Sequence, residues 1–416
     1  MKKSKVIFIY TSITSILAVL AVVLIGMNER HLSLKPIGEP KKNEPEVLEL
    51  TDQQEAFLKS FDEFVHDKFN STNTPGASVV IVKDGYPVYK VALGFKSANS
   101  KDSVDTNTLF RLASVSKGFS AILAGLEVKD SMIRWTDHVS DYLPQPLPAY
   151  CDSITIRHLL SHTAGFQYQA FSTLIEDELP RDTLIKNLFT LSLSRNPGEI
   201  HSYQNIAYSI IEPILEKATG QDFKDLIYKR IFLPLHMKTA SISYDSMINE
   251  TDRAEPHGYR NKSYVPTQLH RSYYNTAAAG GINASINDMA QWLKAITGNN
   301  EEVIPSSVLD QVFKPVIQIR VKNPYFSQLF TPREGYYGMG WRIMEYPKDT
   351  LVYHGGYANG FKSGVALDRS KNIGICILTN APSKFSNLVM TEFFKRYYEE
   401  FGHDDLLASA DALPKK

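Results

Sequence analysis

Phe110-Arg-Leu-Ala-Ser-Val-Ser-Lys-Gly-Phe119 contains Ser114-Val-Ser-Lys117, the only Ser-x-x-Lys in the 416 residues. If a helix begins near Ser114, positions i and i+3 share a face, and hydroxyl and amine lie about one turn apart. A serine hydroxyl is a weak nucleophile at neutral pH and needs a neighbouring base. A lysine serves when burial or nearby positive charge lowers its pKa. A helix N-terminus also aims backbone N–H groups at a developing oxyanion. Four residues with two common fixed types carry little alone, so the flanking sequence decides the reading.

Working outward, Phe119 to Val128 continues as an apolar helix. On the N-terminal side, Ala77–Lys83 and Tyr86–Gly94 read as strands of a hairpin turning at Asp84-Gly85. Before them, Phe57, Leu58, Phe61, Phe64, Val65 and Phe69 mark an amphipathic helix from Thr51. On the C-terminal side, Tyr142–Pro148 is an extended Pro-rich loop. Helices are expected over Asp182–Leu191, Ile206–Thr219 and Phe223–Phe232. Another follows the capping box Ser285-Ile-Asn-Asp288. Tyr244–Tyr274 is polar, aromatic and aperiodic, which predicts a long loop. From Tyr336 strands return at Gly338–Met344, Leu351–Tyr353, Phe361–Leu367 and Ile373–Leu378, before a last helix at Phe385–Glu400. Strands at both ends and helices between predict an α+β fold. One antiparallel sheet built from both chain ends would be flanked by the terminal helices, with a helical lobe inserted and the active site between them.

Lys+Arg and Asp+Glu both total 45 and no long basic run lies beyond the extreme N-terminus, which argues against a nucleic-acid partner. The two cysteines suggest neither a disulfide framework nor a metal site, and Cys376 reads as a buried apolar residue within a strand. Lys2, Lys3 and Lys5 precede an uncharged run from Val6 to Gly26, about the length that crosses a bilayer. The positive flank keeps the N-terminus cytoplasmic and places the rest outside. An uncleaved single-pass anchor over residues 1–27 is the expectation, with a cleaved signal peptide as the alternative. Residues 28–50, with scattered prolines and mixed charge, form a linker.

Ser114-Val-Ser-Lys117 resembles the nucleophile motif of the serine β-lactamase and penicillin-binding protein superfamily. Pro75-Gly-Ala-Ser-Val-Val-Ile-Val-Lys-Asp-Gly85, Thr108–Ser114, Leu159-Leu-Ser-His-Thr-Ala-Gly165 and Gly280-Gly-Ile-Asn-Ala-Ser285 are similar to the class C β-lactamase branch, with its D-alanyl-D-alanine peptidases and esterases. The resemblance runs from about Pro75 to about Asn380. It implies one catalytic domain over 51–403, with a sheet lobe of 51–112 plus 336–403, a helical lobe of 113–335, and a tail at 404–416.

The branch's second motif is Tyr-x-Asn. Of Tyr203-Gln-Asn205, Tyr273-Tyr-Asn275 and Tyr357-Ala-Asn359, only the first follows a Pro-Gly-Glu and precedes a helix. The resemblance therefore implies Ser114 as nucleophile, Lys117 and Tyr203 as proton-transfer partners, and Asn205 as the residue orienting Lys117 and substrate. The third motif, ordinarily Lys-Thr-Gly, is here His354-Gly355-Gly356, implied to line the substrate site. A neutral imidazole holds a carboxylate less well than an ammonium, which lowers the expectation of efficient β-lactam hydrolysis. The residue after Gly356, Tyr357, would supply the second oxyanion N–H beside that of Ser114. His162 reads as a structural loop histidine.

The implied reaction is acyl transfer through an acyl-enzyme, with no metal or organic cofactor. A D-amino-acid peptidase acting on a small-molecule or peptide substrate from the cell envelope ranks first. Carboxylic-ester hydrolase and class C-like β-lactamase are alternatives within the enzyme class. A non-catalytic envelope scaffold retaining the fold is the alternative outside it. Oligomeric state is not legible in the sequence.

Overall fold

The computed structural model describes residues 48–320, 334–346 and 349–402. The expected membrane anchor, most of the linker, the C-terminal tail and most of Asn323–Tyr337 lie outside the described residues. Among the described residues no helix is long and apolar enough to cross a membrane.

The chain enters through α1 (Asp52–Ser71), started by a Thr51–Gln54 capping box. β1 (Gly76–Lys83) and β2 (Tyr86–Gly94) form the expected hairpin. A short β3 (Phe110–Arg111) leads to a 3-10 turn over Ala113–Val115 and then α2 (Ser116–Lys129). The helical lobe includes α3 (Arg181–Leu188), α4 (Asn205–Ser209) and α5 (Ile211–Thr219). It also holds the hairpin β4 (His257–Arg260) and β5 (Ser263–Pro266), then α6 (Ala277–Gly280), β6 (Asn283–Ala284) and α7 (Ile286–Lys294). The chain returns through α8 (Ser306–Val312), β7 (Ile317–Gln318), β8 (Glu334–Tyr337), β9 (Arg342–Glu345), β10 (Thr350–Ala358), β11 (Phe361–Asp368) and β12 (Ile373–Thr379). α9 (Phe385–Phe401) ends the described chain.

Eight strands form one sheet in the order β2-β1-β12-β11-β10-β9-β8-β7. Every pairing in it is antiparallel, and β1 meets β12 with Val80 opposite Cys376, so the two chain ends close on one another. The period-two alternation of a strand decides which side chain enters which core. Val79, Ile81, Ile375 and Ile377 pack under α1 and α9 with Phe61, Val65 and Phe393. Val80, Val82, Cys376 and Leu378 point the other way, into the core shared with the helical lobe. There Phe119 of α2 stacks on Trp292 of α7 with ring centroids 3.6 Å apart. Cys376 is thus the buried apolar residue its strand context predicts.

The structure departs from the sequence reading in three places. Tyr244–Tyr274 is not a plain loop: it holds a helix at Tyr244–Asn249 and the β4–β5 hairpin. That hairpin turns at Asn261-Lys262, both with positive φ, as a two-residue primed turn requires. Its two tyrosines, Tyr259 and Tyr264, pair across the strands on one face that is not buried, so no buried apolar alternation announced them. The Ile206–Thr219 helix is two helices meeting at Ile210. The sheet also extends past the expected strands, through β8 and β7, with β7 and the first two residues of β8 at positions assigned to the helical lobe.

Candidate functional site

Ser114 lies in the 3-10 turn rather than in the α-helix proper, and Lys117 is one residue inside α2. The turn is pinned on three sides. Ser363 Oγ of β11 donates to Leu112 O at 2.5 Å, Leu112 N–H donates to Ile282 O at 2.8 Å, and Ile282 N–H donates to Ser116 Oγ at 3.0 Å. Ala113 takes φ +49°, a left-handed conformation that costs a non-glycine residue on the order of 1–2 kcal/mol. These bonds leave Ser114 partly exposed while Lys117 is fully buried.

Ser114 Oγ lies 3.2 Å from Lys117 Nζ and accepts from Tyr203 OH at 2.9 Å. Lys117 Nζ also donates to Asn205 Oδ1 and to Ala279 O, both at 2.8 Å. The Tyr-x-Asn motif reaches this point because Gln204 caps α4: its Oε1 accepts from Ile206 N–H at 2.6 Å, which makes Asn205 the first helical residue. His162 backs the same loop, its Nδ1 accepting from Gln204 N–H at 3.2 Å and its ring 4.1 Å from that of Tyr203. It does not touch Ser114, in keeping with a structural role. The competing Tyr-x-Asn pairs are occupied elsewhere, with Tyr273 OH on Glu176 and Asn359 on Ser272.

Burial first, and the Arg342 guanidinium second, hold Lys117 well below the usual lysine range. A neutral amine is thereby favoured, which is what a base needs. Tyr203 is pushed up to about 12 by burial, against the opposing pull of Arg342 and of its bond to Ser114. It therefore rests as a phenol and donates.

Arg342, on β9, is the residue the sequence reading missed. Its guanidinium carbon lies 5.8 Å from the Tyr203 ring centroid and 5.7 Å from that of Tyr337. The groups around it able to carry negative charge are phenols, those of Tyr353, Tyr337, Tyr203 and Tyr168. No carboxylate among the described residues pairs with it. The only sequence signal was a lone cation between Trp341 and Ile343 in a strand.

His354 is 1% exposed. Its Nδ1 lies 2.8 Å from Gly355 O, an atom that only accepts, so Nδ1 carries the proton. Nε2 then accepts from Tyr337 OH at 3.1 Å and faces Arg342 Nη1 at 3.4 Å. Burial and Arg342 keep the ring neutral. The imidazole thus faces Tyr337 and Arg342. At Gly356, β10 crosses the Ser114 turn so closely that a Cβ would lie 3.1 Å from Ser114 N and press on Leu112 O and Ser363 Oγ. The next residue, Tyr357, turns its side chain outward, 61% exposed. Among the described residues no three His, Cys, Asp or Glu side chains gather as metal ligands.

The family model described as Beta-lactamase matches residues 58–393. "Protein flp" of Staphylococcus aureus (strain N315) is 24% identical over 337 residues, covering 79% of this chain and 64% of that protein. The chain thus spans just under two thirds of the length of this relative. A protein named "Beta-lactamase" from Escherichia coli (strain K12) is 24% identical over 341 residues, covering 74% of this chain and 84% of its own. The octameric penicillin-binding protein homologue from Pyrococcus abyssi superposes with a TM-score of 0.70 at 20% identity, covering 85% of this chain and 77% of that one. This last likeness shows the fold.

Proposed function

The chain belongs to the beta-lactamase family, and on that premise we propose that it is an exported serine acyl hydrolase, a D-amino-acid peptidase of the penicillin-binding type. The observation that carries the reading is Ser114 Oγ set between Lys117 Nζ at 3.2 Å and Tyr203 OH at 2.9 Å. Neutral Lys117 takes the Ser114 proton as Oγ attacks the substrate carbonyl. The N–H groups of Ser114 and Tyr357 receive the oxyanion. Tyr203, a phenol at rest, donates its proton to the departing amine and is reprotonated from Lys117. Water then attacks the acyl-enzyme by the reverse proton path.

The substrate class follows from Arg342. A half-buried guanidinium with which no carboxylate among the described residues pairs favours a substrate that brings one. The free C-terminus of a D-alanyl-D-alanine peptide does so, and so does a penicillin, which makes slow β-lactam hydrolysis the second reading. Export through the N-terminal apolar run, as a single-pass membrane protein with its catalytic domain extracytoplasmic, would bring the site to cell-envelope peptides. The test compares an acylated D-alanyl-D-alanine peptide with its C-terminal amide. Cleavage of the acid at least about tenfold faster fits a charge-assisted contact, and equal rates would remove the carboxylate preference.

A further inference from the structure

Glu212 lies in the first turn of α5, 4% exposed, on a helix face otherwise made of Ile211, Ile214 and Leu215. A carboxylate buried there costs several kcal/mol unless it is bonded, and burial raises its carboxyl to about 7 against the pull of its partners. Arg181 is not its main partner. That guanidinium makes a two-pronged pair with Glu216, at 2.8 Å on each oxygen, and reaches Glu212 only at 3.4 Å. The short bond from Glu212 runs elsewhere: Oε1 accepts from the backbone N–H of Ala278 at 2.8 Å.

Ala278 belongs to α6, one turn of helix with no side-chain cap of its own, since the Thr276 hydroxyl is buried and unpaired. Glu212 caps it from outside. On its other side, Ala278 O accepts from Ser120 Oγ at 2.9 Å. The next carbonyl, Ala279 O, accepts from Lys117 Nζ at 2.8 Å. A neutral lysine amine has two hydrogens and one lone pair. With the hydrogens given to Asn205 Oδ1 and Ala279 O, the lone pair is left facing Ser114 Oγ. Shifting Ala279 O turns that lone pair away.

We propose that Glu212 is a positioning residue for the base: by capping α6 it fixes Ala279 O, which aims the Lys117 lone pair at Ser114. This rests on the function proposed above, because it requires Lys117 to accept the Ser114 proton. The competing role is an ion pair with Arg181 that ties α3 to α5 and leaves the chemistry untouched.

The experiment follows labelling of Ser114 by an alkyl fluorophosphonate on the full chain, alongside thermal melting. In that reaction Ser114 Oγ bonds to phosphorus, the P–F bond breaks, fluoride departs and the hydroxyl proton passes to Lys117. Glu212→Gln keeps an acceptor for Ala278 and is expected to label within about threefold of wild type. Glu212→Ala is expected to lower the maximal labelling rate by about 10–100-fold, with an unchanged half-saturating probe concentration. Glu216→Ala removes the strong Arg181 pair and is expected to melt lower yet label at the wild-type rate. If Glu212→Ala does not fold, Ser120→Ala decides, since it frees the carbonyl side of the same residue, Ala278, in the peptide that leads to Ala279: a several-fold slower maximal rate with unchanged melting is expected. Wild-type labelling by Glu212→Ala or by Ser120→Ala overturns the proposal. So does a Glu212→Gln variant as slow as Glu212→Ala, or a Glu216→Ala variant slowed as much. A wild-type chain not labelled at Ser114 removes the proposed function and this role with it. Labelled wild type with an unaffected Glu212→Ala removes this role alone.

Discussion

Replacing Arg342 with glutamine should move the acid limb of activity to higher pH. Lys117 Nζ lies 4.7 Å and the Arg342 guanidinium carbon 5.8 Å from the centroid of the same Tyr203 ring, so the two charges are at most about 10.5 Å apart. At an effective dielectric constant of about 20, two unit charges at that distance repel by about 1.6 kcal/mol, or about 1.2 pKa units. The guanidinium disfavours protonated Lys117 and so holds its pKa down. Without it the pKa rises, the neutral amine forms only at higher pH, and kcat/KM for an uncharged aryl ester should reach its plateau about one pH unit later. An uncharged ester isolates this effect from substrate binding. With a substrate carrying a free carboxylate, the same variant should also lose a charge-assisted contact of about 1.5–3 kcal/mol, raising KM roughly 10- to 100-fold. A limb that stays in place, or moves to lower pH, would refute the electrostatic reasoning. An unchanged KM for the anionic substrate would refute the carboxylate contact.

Other consequences are as direct. Tyr203→Phe keeps the ring but removes the donor, and should slow amide cleavage by about 10²–10⁴-fold, with a smaller loss on an aryl ester whose leaving group needs no proton. Gly356→Ala forces a Cβ against Leu112 O and Ser363 Oγ, parting β10 from the Ser114 turn. It should cut acylation at least about 100-fold, and Ser114 labelling at the wild-type rate would contradict the close approach. Phe61→Ala opens the core between α1, α9 and the sheet, where Phe61 meets Phe393 at 5.3 Å. Urea melts should show about 3–5 kcal/mol lost, while labelling of the remaining folded protein stays at the wild-type rate. For the N-terminal run, the full-length protein is expected to stay with membranes after alkaline washing; a mature N-terminus near Asn28 would contradict an uncleaved anchor.

The elements that the sequence announced are those whose cause is local. The β1–β2 hairpin has a run of β-branched residues and an Asp-Gly turn, α7 has its Ser285–Asp288 box, Ser114 and Lys117 are marked by their spacing, and Tyr203 by flanks that match the family pattern. What stayed hidden depends on long-range contact. Arg342 is an ordinary strand cation until the sheet places it beside Tyr203 and Tyr337. Glu212 reads as one polar residue on a helix until α6 presents the Ala278 N–H to it. The inward turn of His354 is set by Gly355 O and Tyr337, neither visible as a partner from spacing. The β4–β5 hairpin lacks an apolar face, the one signal that strand reading relies on.

In the proposed reaction Ser114 forms the acyl-enzyme. Acid-quenching the enzyme within the first turnovers of an activated aryl ester, then mapping the acyl mass by peptide, tests it most directly. A single acyl group is expected on the peptide containing Ser114, absent from a Ser114→Ala variant that melts like wild type and no longer turns over the ester. An acyl group on any other residue, or wild-type turnover by Ser114→Ala, would contradict it.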